Sequence, residues 1–236
     1  VKKAQPVKKP VQQPKKVQNV QRVQKPQKPQ QQPHYSSLLF FLWAALAFPE
    51  LVLHLSTAKS GDLMMNSGLV LGPVFAFLPA CILFAVCTSL SRGANYLLTV
   101  VYSALSFLLC ASQLVYYRIF GTFYTFFSMT NGAGAFQFAA TITAALKECA
   151  LPLLLMALPM LFLLLGSTKQ INFHRSRSTW RKIVLIVLAL AVHCAAVYAL
   201  PYLGGTADTT AYGLYHNASD AYLGVNKLGL LTAFRL

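Results

Sequence analysis

Glu50 and His54 are the residues of this sequence whose types and spacing best suit chemistry. Glu50 is the one acidic residue well inside a long apolar run, and His54 follows four positions later, on the same helical face. An ionisable group in such a run is expensive to bury and by default indicates a function. Two interpretations stay open: a polar site for a lipid headgroup or a proton, or a structural hydrogen bond to a neighbouring helix or to Arg118.

A group of aromatic residues forms the second candidate site. Phe120, Phe123, Tyr124 and Phe127 recur at the i, i+3, i+4, i+7 spacing that places side chains on one face of a helix. This spacing predicts a short helix at a membrane surface, within a stretch of interfacial amphipathic helices over residues 119–147. The aromatics would serve either as a platform that holds a lipid or an outer domain near the membrane, or as a belt packed on the rest of the protein.

Recognisable catalytic and metal-binding motifs are absent from the sequence. It contains no Gly-rich phosphate loop, no GxSxG and no HExxH, and its five acidic residues are scattered. His216 and Asp220 are four positions apart, but two potential ligands do not make a zinc site. We therefore expect no catalytic residue, no metal site and no cofactor in this chain.

Long apolar segments must position these candidates. Hydrophobic residues make up 56% of the 236 residues and charged residues only 11%, compared with roughly 25% charged residues in soluble domains. Apolar stretches of about 20 residues match the thickness of a bilayer. We predict an all-α membrane protein whose residues 35–203 form a five-helix transmembrane bundle, with spans at about 36–56, 69–89, 95–117, 149–166 and 183–203.

Basic residues predict the orientation of these spans. Nine lysines and arginines lie in residues 1–34, one is Arg92, five lie between Lys169 and Lys182, and only five lie in the other connectors. Because lysine and arginine are retained on the cytoplasmic side, this pattern favours a multi-pass protein of the cell membrane with a cytoplasmic N-terminus and an extracellular C-terminus. The same rule accounts for the net charge of +15, so no nucleic-acid partner is expected.

Residues 1–34 have a composition unlike the rest of the chain. They are rich in Lys, Gln and Pro, contain no acidic residue, and offer too little apolar surface to offset the entropy of folding. We predict a disordered basic tail. It would either lie on anionic lipid headgroups, where each cation contributes about 1 kcal/mol, or remain solvated and act only in setting the orientation.

Three segments carry a resemblance to a known family. They are residues 48–55 (FPELVLHL), residues 115–124 (VYYRIFGTFY) and residues 226–236 (NKLGLLTAFRL). In this order, and with this number of spans, the chain from about Ser36 to Leu236 resembles the membrane part of the lipoteichoic acid synthase family. These are phosphoglycerol transferases of the sulfatase and alkaline phosphatase superfamily.

The resemblance implies a membrane anchor for an extracellular catalytic domain. In the family that domain holds a catalytic threonine and manganese, and it transfers glycerol phosphate from phosphatidylglycerol, an anionic membrane lipid, to a cell-envelope polymer or glycolipid. We expect residues 204–236 to be an extracellular linker towards the chain's own catalytic domain, which would begin after Leu236 and is missing here. The alternative is a stand-alone transporter subunit or non-enzymatic scaffold, with a polar path through Glu50, His54 and Arg118.

Overall fold

A computed structural model describes residues 36–58, 66–125, 139–166, 170–176, 178–217 and 220–235. These residues contain helices and no strands, in agreement with the predicted all-α class. The basic tail and Phe127 lie outside the described residues. The helices are α1 (Ser36–Thr57), α2 (Gly68–Cys87), α3 (Arg92–Phe120), α4 (Ala139–Glu148), α5 (Ala150–Leu164), α6 (Thr179–Gly204), α7 (Ala211–Asn217), α8 (Ala221–Leu228) and α9 (Leu230–Arg235).

Four of these helices are long and apolar enough to cross a membrane, namely α1, α2, α3 and α6. The pair α4 and α5 makes a fifth candidate span if it is counted as one, although it is bent by 77°. Alone, the 15 residues of α5 extend about 22 Å. The predicted all-α membrane bundle is therefore confirmed with four to five candidate spans, and α4 is the one described helix in the stretch where interfacial helices were predicted.

Hydrogen bonds identify which helix termini meet at each end of the bundle. At the first end, where α1 begins, the loop of residues 170–176 joins three helices. The Asn172 N–H donates to Ser37 Oγ of α1 (3.1 Å), and the Ser176 N–H donates to the carbonyl of Thr88 after α2 (2.9 Å). Asn95 Nδ2 of α3 donates to the Phe173 carbonyl (3.0 Å).

At the second end, where α1 ends, the Tyr117 hydroxyl of α3 donates to the Thr57 carbonyl (3.2 Å). The ion pair between Arg118 and Glu148 brings the start of α5 to the same end. In the order α1, α2, α3, α5, α6, the helices thus alternate in direction. Each of these helices begins at the end of the bundle where the preceding one ends.

Helix α1 lies at the centre of the bundle and packs against α2, α3 and α5. The contact with α3 depends on small polar residues: Ser106 Oγ donates to the Ala45 carbonyl (2.8 Å), while Thr99 and Ser103 donate to carbonyls of their own helix. Such residues allow two helix backbones to approach closely inside a membrane. Helix α6 packs mainly against α2, and only 11% of its apolar window is buried, compared with 61% for α1.

The C-terminal helices α7, α8 and α9 pack onto the second end of the bundle. Leu214 of α7 and Leu228 of α8 are buried together with Leu71 of α2 and Leu200 of α6. The extracellular linker over residues 204–236 stays a prediction. Its described part is helical and buries apolar side chains, because α8 and α9 meet a surface of α2 that carries two glycines.

Candidate functional site

Glu50 and His54 lie in the part of α1 that approaches the second end. Both side chains are about 1% exposed, and His54 Nε2 lies 3.8 Å from Glu50 Oε1. The predicted pairing across one helical turn is therefore present. Because a buried carboxylate needs hydrogen-bond donors, the elements packed against this face of α1 decide how Glu50 is held.

Helix α9 supplies the hydrogen-bond donor for Glu50. The backbone N–H of Leu230, the first residue of α9, donates to Glu50 Oε1 at 2.5 Å. The first N–H groups of a helix have no partner within it, so the carboxylate satisfies one of them. Of the two structural partners considered from sequence, the neighbouring helix is therefore the one present.

Two close approaches at glycine bring α9 to Glu50. A Cβ atom added at Gly72 of α2 would lie 2.7 Å from Glu50 Oε1, and one added at Gly229 would lie 2.6 Å from the Gly72 Cα. Gly229 also has φ 89°, in the left-handed region that favours glycine, and so forms the sharp turn between α8 and α9. One turn earlier on α2, a Cβ at Gly68 would meet the Asn226 carbonyl oxygen at 2.5 Å.

Two asparagines complete the polar surroundings. Asn66 Nδ2 lies 3.4 Å from His54 Nδ1 and 3.5 Å from Asn226 Oδ1. The exposure of Asn66 is 7% and that of Asn226 is 8%. Glu50, His54, Asn66 and Asn226 together are called the buried polar cluster below. It joins α1, the start of α2, and the α8–α9 segment.

Three atoms of this cluster have no hydrogen-bond partner within the described part of the chain: Glu50 Oε2, His54 Nε2 and Asn66 Oδ1. Because Asn66 Nδ2 is a donor, His54 Nδ1 is assigned as the acceptor, and Nε2 then carries the ring proton. The cluster therefore offers one hydrogen-bond donor and two acceptors to a bound group. Across the described ranges, no three His, Cys, Asp or Glu side chains come together as a metal site.

Arg118 is separate from the buried polar cluster. Its Nε donates to Glu148 Oε2 at 2.8 Å, and both side chains are more than half exposed. The hypothesis of a Glu50–Arg118 hydrogen bond is therefore wrong. Arg118 lies at the rim of the second end, where its charge and that of Glu148 stay hydrated. It therefore does not join Glu50 and His54 in the polar path that a transporter would require.

The aromatic residues do not share a helical face in the described part of the chain. Gly121, with φ 71°, ends α3, and residues 121–125 are not helical. Phe123 instead packs against two other rings, with its centroid 5.1 Å from that of Tyr117 and 6.1 Å from that of Tyr222 of α8. Phe123 is 3% exposed, which agrees with aromatics packed on the bundle, whereas Phe120 is 52% exposed.

A family model named lipoteichoic acid synthase N-terminal domain matches residues 18–232, nearly the whole chain. The chain belongs to this family. The comparison with curated proteins found no match, and neither did the comparison with solved structures. The family assignment confirms the resemblance carried by residues 48–55, 115–124 and 226–236, and it makes this chain a multi-pass membrane domain of the lipoteichoic acid synthase type.

Part of the site in this lipoteichoic acid synthase N-terminal domain was not predicted. Asn66 and Asn226 are single polar residues at helix termini, and they come together only through contacts between residues 160 positions apart. The available signal was the spacing of Gly68 and Gly72, a small-xxx-small pattern that marks close helix approach in membranes. This spacing indicates that another segment packs closely on α2, but it does not identify that segment.

Gln113 holds the segment after α3 in place. Its Oε1 accepts from the Tyr124 N–H (3.1 Å), and its Nε2 donates to the Tyr124 carbonyl (2.8 Å), while Gln113 itself is fully buried. The Tyr124 hydroxyl also lies 2.8 Å from Ser112 Oγ, at an exposed position. Burial raises the pKa of the Tyr124 phenol, so this hydroxyl remains protonated.

Replacement of Gln113 by leucine is expected to lower the free energy of unfolding by about 2 kcal/mol, because two backbone groups of Tyr124 lose their partners. The measurement is an SDS titration of the purified protein in mixed micelles. Ser112→Ala is the control, since it removes only two exposed hydrogen bonds, to the Leu109 carbonyl and the Tyr124 hydroxyl, and should cost less than about 0.5 kcal/mol. Equal effects of the two substitutions would contradict the role of Gln113.

Proposed function

We propose that this chain is the membrane domain of a phosphoglycerol transferase of the lipoteichoic acid synthase type. Such an enzyme moves glycerol phosphate from phosphatidylglycerol to a growing polymer of the cell envelope. The observation that carries the proposal is the family match over residues 18–232. A bundle of membrane-spanning helices supports it, because the lipid donor of this reaction resides in the bilayer.

The proposed orientation places the first end of the bundle in the cytoplasm and the second end outside the cell. Arg92, Arg175 and Lys182 lie at the first end, beside or within the elements that meet there. Basic residues next to spans are retained on the cytoplasmic side, which supports this orientation. Helices α7, α8 and α9 then lie at the extracellular surface, next to the buried polar cluster.

Catalysis belongs, in this proposal, to an extracellular domain of the same protein, which we expect to follow the bundle. The catalytic threonine and manganese are expected there. We assign no step of the transfer to the described residues of the bundle. The bundle binds membrane lipid and holds the catalytic domain at the depth where phosphatidylglycerol presents its headgroup.

The experiment that tests this function follows glycerol phosphate into polymer. Cells that lack the gene encoding this chain are given glycerol-labelled phosphatidylglycerol precursor, and label in the envelope polymer is measured. Deletion should remove most of the labelled polymer, and the intact gene should restore it. A gene in which residues 36–235 are replaced by an unrelated single-span anchor should restore little.

Two outcomes of this experiment would contradict the proposal. Unchanged labelling after deletion would exclude a role in phosphoglycerol transfer. Full restoration by the unrelated anchor would mean that the bundle contributes nothing beyond attachment to the membrane. Protein abundance measured by immunoblot is the control that makes the comparison valid.

A further inference from the structure

Three cations gather at the first end of the bundle, where the α2–α3 turn, the loop of residues 170–176 and the start of α6 meet. Lys182 Nζ of α6 donates to Ser89 Oγ in the turn at 2.8 Å. Arg175 of the loop lies close enough to Lys182 for the two positive charges to repel each other. Arg92, the first residue of α3, is exposed three positions after Ser89. Arg92, Arg175 and Lys182 are called the basic cluster below.

The segments around the basic cluster supply no anion to it. The sequence contains no acidic residue within residues 1–49, 63–147 or 149–207, and these stretches include every element that meets at the first end. Retention of positive charge explains why basic residues lie on one side of a membrane, but it does not require them to be folded together. Because like charges held close together are unfavourable, an anion that balances them has to come from outside these segments.

Backbone contacts hold the loop that carries Arg175 in a fixed place. The Ser176 N–H donates to the Thr88 carbonyl at 2.9 Å, which binds the loop to the end of α2. Phe173 of the same loop is 2% exposed, and its ring packs edge-on against Tyr96 of α3 with the centroids 5.5 Å apart. The cations of the basic cluster are therefore presented by a folded surface that a ligand can recognise.

The basic cluster lies beside a surface that faces lipid. Trp180 is 73% exposed, and Ile183 and Val184, which directly follow Lys182, are 49% and 46% exposed. An exposed indole at the start of a span is typical of the headgroup layer of a bilayer. A phosphate group whose lipid chains cover the exposed side chains of α6 lies at this level. A soluble anion, in contrast, gains nothing from the apolar surface next to the cations.

We propose that the basic cluster binds a phospholipid with two phosphodiester groups, the chemistry of cardiolipin. Three cations without a counter-ion suit two phosphates better than one, and basic pockets between the ends of spans bind such headgroups. The bound lipid offsets the repulsion between Arg175 and Lys182 and ties the start of α6, which packs mainly against α2, to the α2–α3 turn. The proposal goes beyond the proposed function, because this site lies at the opposite end of the bundle from the proposed transfer and its lipid takes no part in that reaction.

Fluorescence of Trp180 can report binding at this place, because the sequence contains only one other tryptophan, Trp43. The full chain with Trp43→Phe is reconstituted in phosphatidylcholine vesicles that contain increasing fractions of a lipid with brominated acyl chains. Bromine quenches an indole only at short range, so the quenching curve gives the affinity relative to phosphatidylcholine. We expect cardiolipin to bind about 25-fold more tightly, about fivefold for each phosphate paired with a cation, and phosphatidylglycerol only about fivefold more tightly.

Two double variants with equal net charge locate the site. Arg175→Gln combined with Lys182→Gln removes two cations of the basic cluster and should lower the preference for cardiolipin to about fivefold or less. The glutamine at position 182 retains a hydrogen-bond donor for Ser89. Lys147→Gln combined with Lys227→Gln is the matched control, since it removes two cations at the second end and should leave the preference unchanged. Elution from a size-exclusion column reports folding.

Several outcomes would overturn the proposal. Equal quenching by brominated cardiolipin and phosphatidylcholine would leave the basic cluster to a soluble acidic partner, and equal affinity for phosphatidylglycerol would reject a site for two phosphates. Equal losses in the two double variants would mean that the net charge of the chain attracts the lipid. A preference that survives the loss of Arg175 and Lys182 would place the lipid elsewhere. None of these results bears on glycerol phosphate transfer, which the polymer labelling in cells tests separately.

Discussion

Replacement of Gly72 by leucine is expected to lower the free energy of unfolding by about 3 kcal/mol, the upper part of the range for overpacked sites. The Cβ alone would lie 2.7 Å from Glu50 Oε1, and the Gly72 Cα already lies close to where a side chain at Gly229 would begin. The backbone of α9 and the Glu50 side chain both limit the space. A leucine therefore has to push α9 away from α2 and break the Glu50–Leu230 hydrogen bond.

Gly93 provides the matched control for this substitution. It also lies in a helix, near the start of α3, but nothing lies within 4 Å of a Cβ added there. Gly93→Leu should leave the SDS unfolding midpoint near that of the unmodified protein, or raise it slightly, because glycine is a poor helix former. If both leucine substitutions cost the same, the close approach between α2 and α9 does not stabilise the fold.

Replacement of Glu50 by leucine is expected to release α9 from the bundle and to cost about 2–3 kcal/mol. Leucine fills a similar volume, yet it leaves the Leu230 N–H without an acceptor and His54 without its neighbour. An apolar replacement is harmless only when all polar partners are removed together, and here they remain. Glu50→Gln retains an amide oxygen for Leu230 and should recover most of the loss.

The release of α9 can be measured directly at Thr232, which is 5% exposed in this helix. A cysteine at position 232 should react slowly with a maleimide in the otherwise unmodified protein and in the Glu50→Gln protein. In the Glu50→Leu protein it should react roughly tenfold faster, as the bound population of α9 falls. Slow reaction in the Glu50→Leu protein would show that apolar packing alone holds α9.

The spans and their alternation could be predicted from the sequence because bilayer thickness sets their length. The described helices begin or end within a few residues of the predicted spans; α3, for example, extends to Phe120 instead of residue 117. Such agreement follows from local composition. The residues of a span and the thickness of the bilayer are enough to predict it, and no information about residues far away in sequence is needed.

The turn that follows α3 and the packing of residues 204–236 could not be predicted, because distant contacts decide them. The spacing of Phe120, Phe123 and Tyr124 suits a helix, but Gly121 adopts a left-handed conformation and Gln113 binds the backbone of Tyr124. Likewise, Leu230 reaches Glu50 across 180 positions of sequence. A pattern within one segment contains no information about a partner so far away.

The choice of partner for Glu50 illustrates a different difficulty. Arg118 was a natural candidate on charge alone. It lies near the end of α3, at the same end of the bundle that Glu50 approaches on α1. Both Arg118 and Glu148 can keep their charges in water at the rim, where an ion pair costs little desolvation. A backbone N–H at a helix start carries no sequence signature, so the actual donor to Glu50 could not be read from residue types.

The distance of 180 residues between Glu50 and Leu230 also has a consequence for biosynthesis. At a translation rate of about 5–20 residues per second, Glu50 leaves the ribosome roughly 10–40 seconds before its hydrogen-bond donor exists. During that interval the first span must be inserted with an acidic side chain in it. His54 emerges almost simultaneously, on the same face, and gives the nascent helix an internal polar neighbour until α9 has been synthesised.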